Sequence, residues 1–192
     1  VAYVQQDSQS SGVQQWDFYQ AQVDIGVGAG TVWQTNSAYL ISKFRFGLDQ
    51  YGGVSGNIIG KVYNSSAQNT TGIPSGSALA SSQDFDVSTL VTDSYTLVDF
   101  VLSSAPSLIS GSWYCIAIET STIGGFVGNN LHKVRIWVGN EATFHGFSAP
   151  AGVWTSYANN EKPQFVTYSG DEAPPVNEVG ISSLPMMGCG WG

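Results

Sequence analysis

Few residues in this chain have the type and spacing to do chemistry. Asp84 and Asp86 lie two apart, and Glu119 closes a hydrophobic run, so a carboxylate pair can be assembled on paper. Glycoside hydrolysis needs two such groups facing each other across a cleft. With 14 acidic residues in 192, coincidental pairs are expected, and no motif singles one out. His132 and His145 are the only histidines, and no His, Cys or Asp cluster has zinc spacing. No Gly-x-Ser-x-Gly elbow presents a nucleophilic serine. Asp84, Asp86 and Asp93 share a loop-rich region with the oxygen ligands calcium prefers. A bare D-x-D is too short to specify a site, so no bound ion is expected. Residues 26–30 (GVGAG) lack a following Gly-Lys-Ser/Thr and read as a turn rather than a phosphate loop. The expectation is a non-catalytic protein with no cofactor and no metal.

Binding is better represented than catalysis. Sugar rings stack on flat aromatic faces whose polar neighbours satisfy the hydroxyls. Tyr51 in the DQYGG loop, Trp137, Trp154 and Tyr157 are the aromatics placed for that role. Trp137 shares a strand face with Arg135, the more polar face of VRIWV. The competing reading is that such rings fill the core and rim of a sandwich. The segment 184–192 (LPMMGCGWG) is apolar and rich in glycine. Leu184, Met186, Met187, Cys189 and Trp191 are therefore read as assembly contacts, docking in their own domain or in a groove of a neighbouring subunit.

The charge balance narrows the partners. Six basic residues are scattered against 14 acidic ones, giving a net charge of −8. No basic stripe exists to neutralise phosphates, so nucleic acid is not an expected partner. No apolar run approaches the ~20 residues of a membrane span, and none is expected to contact a bilayer. Only 10% of residues are charged, against about 25% in an ordinary soluble domain. The surface must then be polar through Ser, Thr, Asn, Gln and Gly, or be covered by other subunits. Residues 1–11 lack the basic start and apolar centre of a signal peptide. The two cysteines, Cys115 and Cys189, make no disulfide framework. Cys115 reads as a buried small hydrophobe; a bridge to Cys189, or from Cys189 to another subunit, is the alternative.

The elements that would position these residues are strands. Four hydrophobic bursts, 39–46, 58–63, 95–102 and 113–119, are short, aromatic or β-branched, and bounded by turn formers. In 95–102 (YTLVDFVL) Thr96, Val98, Phe100 and Leu102 share an apolar face. Tyr95, Leu97, Asp99 and Val101 share a mixed one, the alternation of a half-buried strand. Residues 16–27, 134–138 and 164–168 read as further strands, and no helical period of useful length appears. The chain divides into an N-terminal arm (1–15), a β-sandwich (16–169) and a C-terminal extension (170–192). The arm is polar and is expected to order only against a partner.

A resemblance runs through 39–114. It is carried by Tyr39-Leu40-Ile41-Ser42 with Phe44, Ile59-Gly60-Lys61-Val62-Tyr63, Ile73-Pro74-Ser75-Gly76-Ser77-Ala78-Leu79-Ala80, Asp86-Val87-Ser88-Thr89-Leu90 and Leu108-Ile109-Ser110-Gly111-Ser112-Trp113-Tyr114. This order resembles a jelly-roll cassette of bacterial cell-surface proteins and of phage tail, fibre and other virion proteins. It is similar also to carbohydrate-binding jelly rolls. The motifs are turn and packing signals: Pro74 and Gly76 suit a turn, Asp86 and Ser88 bond nearby amides, and Gly111 permits a tight turn into Trp113. They supply no set of binding residues to carry over.

The resemblance implies an antiparallel jelly-roll β-sandwich, all-β, with extended N- and C-terminal arms. It implies a structural component of an exterior repeating assembly, a phage capsid decoration, fibre or tail protein. The partners would be other copies of itself or a major virion protein. The alternative is a polysaccharide-binding module of a secreted or cell-surface protein.

Overall fold

The computed structural model describes residues 3–9, 14–18, 28–51, 54–120, 126–127, 133–140, 145–148, 153–156, 161–163 and 165–170. In chain order the strands are β1 (Val4–Gln9), β2 (Gln14–Phe18), β3 (Gly28–Gln34), β4 (Tyr39–Leu40), β5 (Lys43–Tyr51), β6 (Ser55–Ser65), β7 (Pro74–Asp86) and β8 (Thr96–Val101). They continue as β9 (Ser107–Leu108), β10 (Trp113–Thr120), β11 (Phe126–Val127), β12 (Lys133–Asn140), β13 (His145–Ser148), β14 (Thr155–Ser156), β15 (Glu161–Pro163) and β16 (Phe165–Ser169). One 3-10 turn, Val87–Thr89, is the only helical element among the described residues.

Fourteen of these strands form two antiparallel sheets packed as a sandwich, and β4 pairs with β9 apart from them. Sheet A runs β1-β16-β5-β12-β15, with β2 beside β12 and β8 on the other side of β5. Sheet B runs β11-β6-β10-β3-β13-β14, with β7 beside β6. Alternation along β5 sends Phe44, Phe46 and Leu48 inward, and β8 adds Val98 and Phe100 beside them. Sheet B answers with Ile58 and Val62 from β6, Tyr114, Ile116 and Ile118 from β10, and Trp33 from β3. Phe44 and Phe100 stack at 5.2 Å. They approach Gly60 so closely that a β-carbon there would lie 2.6 Å from Phe44 Cζ and 2.7 Å from Phe100 Cβ.

All four hydrophobic bursts are strands, and the alternation of 95–102 is realised. Val98, Phe100 and Leu102 are buried, while Tyr95, Leu97, Asp99 and Val101 are exposed. The Asp86 carboxylate accepts from the Ser88 amide at 2.9 Å, and Gly111 takes φ +75° in the turn before β10. Two expectations are corrected. Gly28, Ala29 and Gly30, read as part of a turn, belong to β3, paired with β10 on one side and β13 on the other. Pro74 and Gly76 do not form a turn between strands but lie inside β7, where the register against β6 slips between Val62 and Asn64. Gly76 has φ +69° at that irregularity.

Within the stretch read as an N-terminal arm, Val4–Gln9 pairs with β16 of the same chain. The cause is one buried carboxylate. Asp7 is 3% exposed and accepts from the indole of Trp33 at 3.2 Å, the side-chain amide of Asn36 at 2.7 Å and the hydroxyl of Tyr39 at 2.9 Å. Its own amide donates to Thr167 Oγ1 at 3.0 Å. Burial and the neighbouring Asp7 push the Tyr39 phenol above its usual range. A carboxylate with this many donors is satisfied in a dry setting, so a polar strand is fastened where apolar residues would ordinarily be needed.

Candidate functional site

The outward faces of the two sheets are built differently. On sheet B, residues of β3, β6 and β10 that point away from the main core form a second apolar cluster: Val32, Tyr63, Cys115 and Ala117. Ile73, Ala78, Trp113 and Trp154 pack against it from the edges. Val32, Cys115 and Ala117 have no exposed surface at all. Cys115 is a free thiol, as its strand position predicts, and burial pushes its pKa up.

Trp154 is seated by Gly28. A β-carbon at position 28 would collide with Trp154 Cη2 and lie 3.1 Å from Glu119 Cγ. The indole meets Tyr63 edge to face at 6.5 Å. Beside them Glu119 accepts from Lys61 Nζ at 2.7 Å and from the Tyr63 hydroxyl at 2.5 Å. Burial and that carboxylate raise the Tyr63 phenol above its ordinary pKa. Lys61 and Glu119 keep 24% and 20% of their side chains exposed. An aromatic ring thus adjoins a half-buried ion pair, the pairing of apolar face and polar groups that sugars require.

Sheet A leaves its outward face open around β8. Lys43 is buried, donates to Asp99 Oδ2 at 2.9 Å, and stands 3.9 Å and 4.4 Å from the ring centres of Tyr3 and Tyr168. Arg45 donates through Nε to Asp99 Oδ1 and through Nη2 to Oδ2. Burial would raise the Asp99 pKa, but the bonds from Arg45 and Lys43 outweigh it and hold the carboxyl below its usual range. Around this clamp stand Tyr95, Leu97 and Val101, 43%, 51% and 47% exposed. Tyr51 ends β5 beyond its pairing with β8, opposite Lys133 of β12.

At the side of the sandwich β7 and β8 are edge strands. Each has a single sheet partner among the described residues, β6 and β5 respectively. They touch where Ser82 bridges Leu102 and the Ser103 amide donates to Ser81. They then diverge around a groove of about 320 Å³ between Gln83–Phe85 and Asp99–Val101. Phe85 and Phe100, 6.2 Å apart and edge to face, connect it to the core.

Of the aromatics singled out by sequence, Tyr51 and Trp154 do not converge. Tyr51 is exposed on sheet A, whereas Trp154 is half-buried at sheet B. Trp137 lies in β12 at the register position opposite Gln15 of β2, two residues beyond Arg135, which faces Asp49; only its backbone position is described. Tyr157, Leu184, Met186, Met187, Cys189 and Trp191 lie outside the described residues. The Lys61–Glu119 pair and the Gly28 seat were missed, because their members come from three strands distant in sequence. Among the described residues no His, Cys, Asp and Glu group has the geometry to hold a metal, and no helix is long and apolar enough to cross a membrane. No protein-family model matches the chain, and comparison with curated proteins finds no match.

Proposed function

We propose that this chain is a non-catalytic structural component of a repeating exterior assembly, with the phage virion as its setting. It would serve as a capsid decoration, fibre or tail protein that displays a jelly-roll sandwich outward. The observation that carries this reading is the β8 edge, where Tyr95, Leu97 and Val101 stand exposed beside backbone that has no further strand partner among the described residues. Unprotected edges invite pairing, and isolated domains usually blunt them with charge or cover. Here the one carboxylate on the strand, Asp99, is neutralised by Lys43 and Arg45. The low charged fraction agrees with a surface that meets other copies. Sedimentation across a wide concentration range tests it: the chain should form a discrete oligomer that Leu97→Lys dissolves. A monomer at every concentration would overturn the reading.

A second reading is favoured by the Trp154 site, where a seated indole adjoins the Lys61–Glu119 pair. It is a polysaccharide-binding module, and the two roles are compatible on opposite faces. Retardation in native gels containing polysaccharide, reduced by Lys61→Ala without loss of folding, would support it. Mobility unchanged from a polysaccharide-free gel, in neutral and acidic polysaccharides alike, would remove it.

A further inference from the structure

We propose that Asn69 is an N-glycosylation acceptor, taking a sugar from a diphosphate-linked donor, and that Asn64 is not. This modification goes beyond both roles above and is compatible with either. Two segments match the acceptor sequence Asn-x-Ser/Thr, Asn64-Ser65-Ser66 and Asn69-Thr70-Thr71. Both asparagines are exposed, so exposure does not separate them. Their backbones do.

Asn69 opens the tight turn at the end of the β6–β7 pair. Its backbone carbonyl accepts from the Gly72 amide at 3.2 Å, as in a β-turn with asparagine first and glycine fourth. Its side-chain oxygen accepts twice from Thr71, from the amide at 2.9 Å and from the hydroxyl at 2.7 Å. This Asx turn folds the third residue of the acceptor sequence back onto the first. Oδ1 is thereby occupied, while Nδ2, the atom that must carry the sugar, has no partner among the described residues. The turn is itself held in place. The Ser66 amide donates to the Ile73 carbonyl at 2.9 Å, and the Ile73 amide donates to Ser66 Oγ at 3.1 Å. The Gln68 side chain accepts from the Trp113 amide at 3.1 Å. A β-carbon at Gly72 would collide with Ser65 Oγ. The acceptor geometry therefore exists in the folded chain before any enzyme arrives.

Asn64 has the same sequence pattern in the opposite setting. It lies within sheet B, opposite Ser75 of β7 on one side and Tyr114 of β10 on the other. The hydroxyl of its third residue, Ser66, is engaged with the Ile73 amide. To adopt the bent form that Asn69 already has, Asn64 would have to leave both neighbouring strands. The turn also stands clear of the groove between β7 and β8. Pro74 begins β7 beside the turn, and roughly 30 Å of strand separate it from Gln83 at the groove.

In the transfer, Nδ2 forms a bond to the anomeric carbon of the donor sugar. The bond from that carbon to the diphosphate oxygen breaks, and the diphosphate leaves with the electron pair. Nδ2 gives up one of its two protons to a base of the transferring enzyme.

The test uses the folded full chain in two arms. One arm supplies a soluble transferase that reads Asn-x-Ser/Thr and a nucleoside-diphosphate hexose. The other supplies a membrane-bound transferase of the same specificity and a lipid-diphosphate oligosaccharide. An unrelated acceptor peptide confirms that each enzyme is active, and mass spectrometry of the digested chain locates the sugar. The expected result is sugar on Asn69 and none on Asn64 in at least one arm, and the arm that succeeds identifies the donor. Thr71→Ala should abolish the transfer and Thr71→Ser retain it, with circular dichroism confirming that both variants fold. No sugar on Asn69 in either arm would overturn the inference. So would sugar on Asn64 as readily as on Asn69, or transfer that survives Thr71→Ala.

Discussion

The outward face of sheet B and the outward face of sheet A start from similar strands and end in opposite states. On sheet B the chain covers its own apolar residues: Val32, Cys115 and Ala117 are sealed beneath Tyr63, Trp113 and Trp154. On sheet A the chain invests in a charge clamp, Lys43, Arg45 and Asp99, and leaves Leu97 and Val101 in water beside it. Scattered exposed apolar residues are ordinary. Leu97 and Val101 share one edge strand beside a groove, and on that pairing the proposed association rests. The comparison teaches that residues outside the sandwich core can still be covered, as Val32, Cys115 and Ala117 are, while Leu97 and Val101 on β8 stay exposed.

The contrast predicts unequal responses to similar substitutions. Ala117→Lys would place a charge in the sealed cluster and should cost upwards of about 4 kcal/mol. Little folded protein should survive in a urea titration; a loss below about 1 kcal/mol would mean that the cover is loose. Gly28→Val should cost about 2–3 kcal/mol by displacing Trp154. In a double-mutant cycle with Trp154→Ala, much of that cost should vanish. Additive effects would show that the seat is not what position 28 provides.

On the other face, Asp99→Ala should cost about 1–2 kcal/mol near neutral pH, reduced from a fully buried pair by its partial exposure. Its carboxyl is held below the usual range in the folded protein. The contribution is therefore complete above the unfolded value of about 4 and lost as pH falls through the lower folded value. Urea midpoints of the parent and the variant should converge in acid, and a constant gap down to about pH 2 would contradict the clamp. Leu97→Lys should change stability by no more than about 0.5 kcal/mol, the smallest effect on folding, while abolishing association. If it instead lowered the midpoint strongly, β8 would be part of the core and not of an interface.

The parts legible in the sequence were those where burial falls on side chains in strict alternation. Residues 95–102 reveal both faces of β8 because Val98 and Phe100 point in while Leu97, Asp99 and Val101 point out. β3 was obscured because Gly28 and Gly30 carry no side chain to count, and the space over Gly28 is filled by Trp154, more than a hundred residues later. β1 was obscured for the opposite reason. Its buried anchor is Asp7, whose cost is offset by donors from Trp33, Asn36 and Tyr39 that no local pattern reveals. The candidate sites were less legible still. Trp154 was visible as an aromatic, but Lys61 and Glu119 become its neighbours only through the registers of β6 and β10.

The Asp7 fastening also sets a schedule for synthesis. Asp7 emerges from the ribosome 160 positions ahead of its partner Thr167. At translation rates of ~5–20 residues per second, that is a wait of about 8–30 s. Until β16 arrives, β1 lacks its one strand partner among the described residues, and β5 lacks its β16 neighbour over Lys43–Phe46. The nascent chain thus carries an unpaired edge throughout that wait, and β16 on arrival joins β1 and β5 at once.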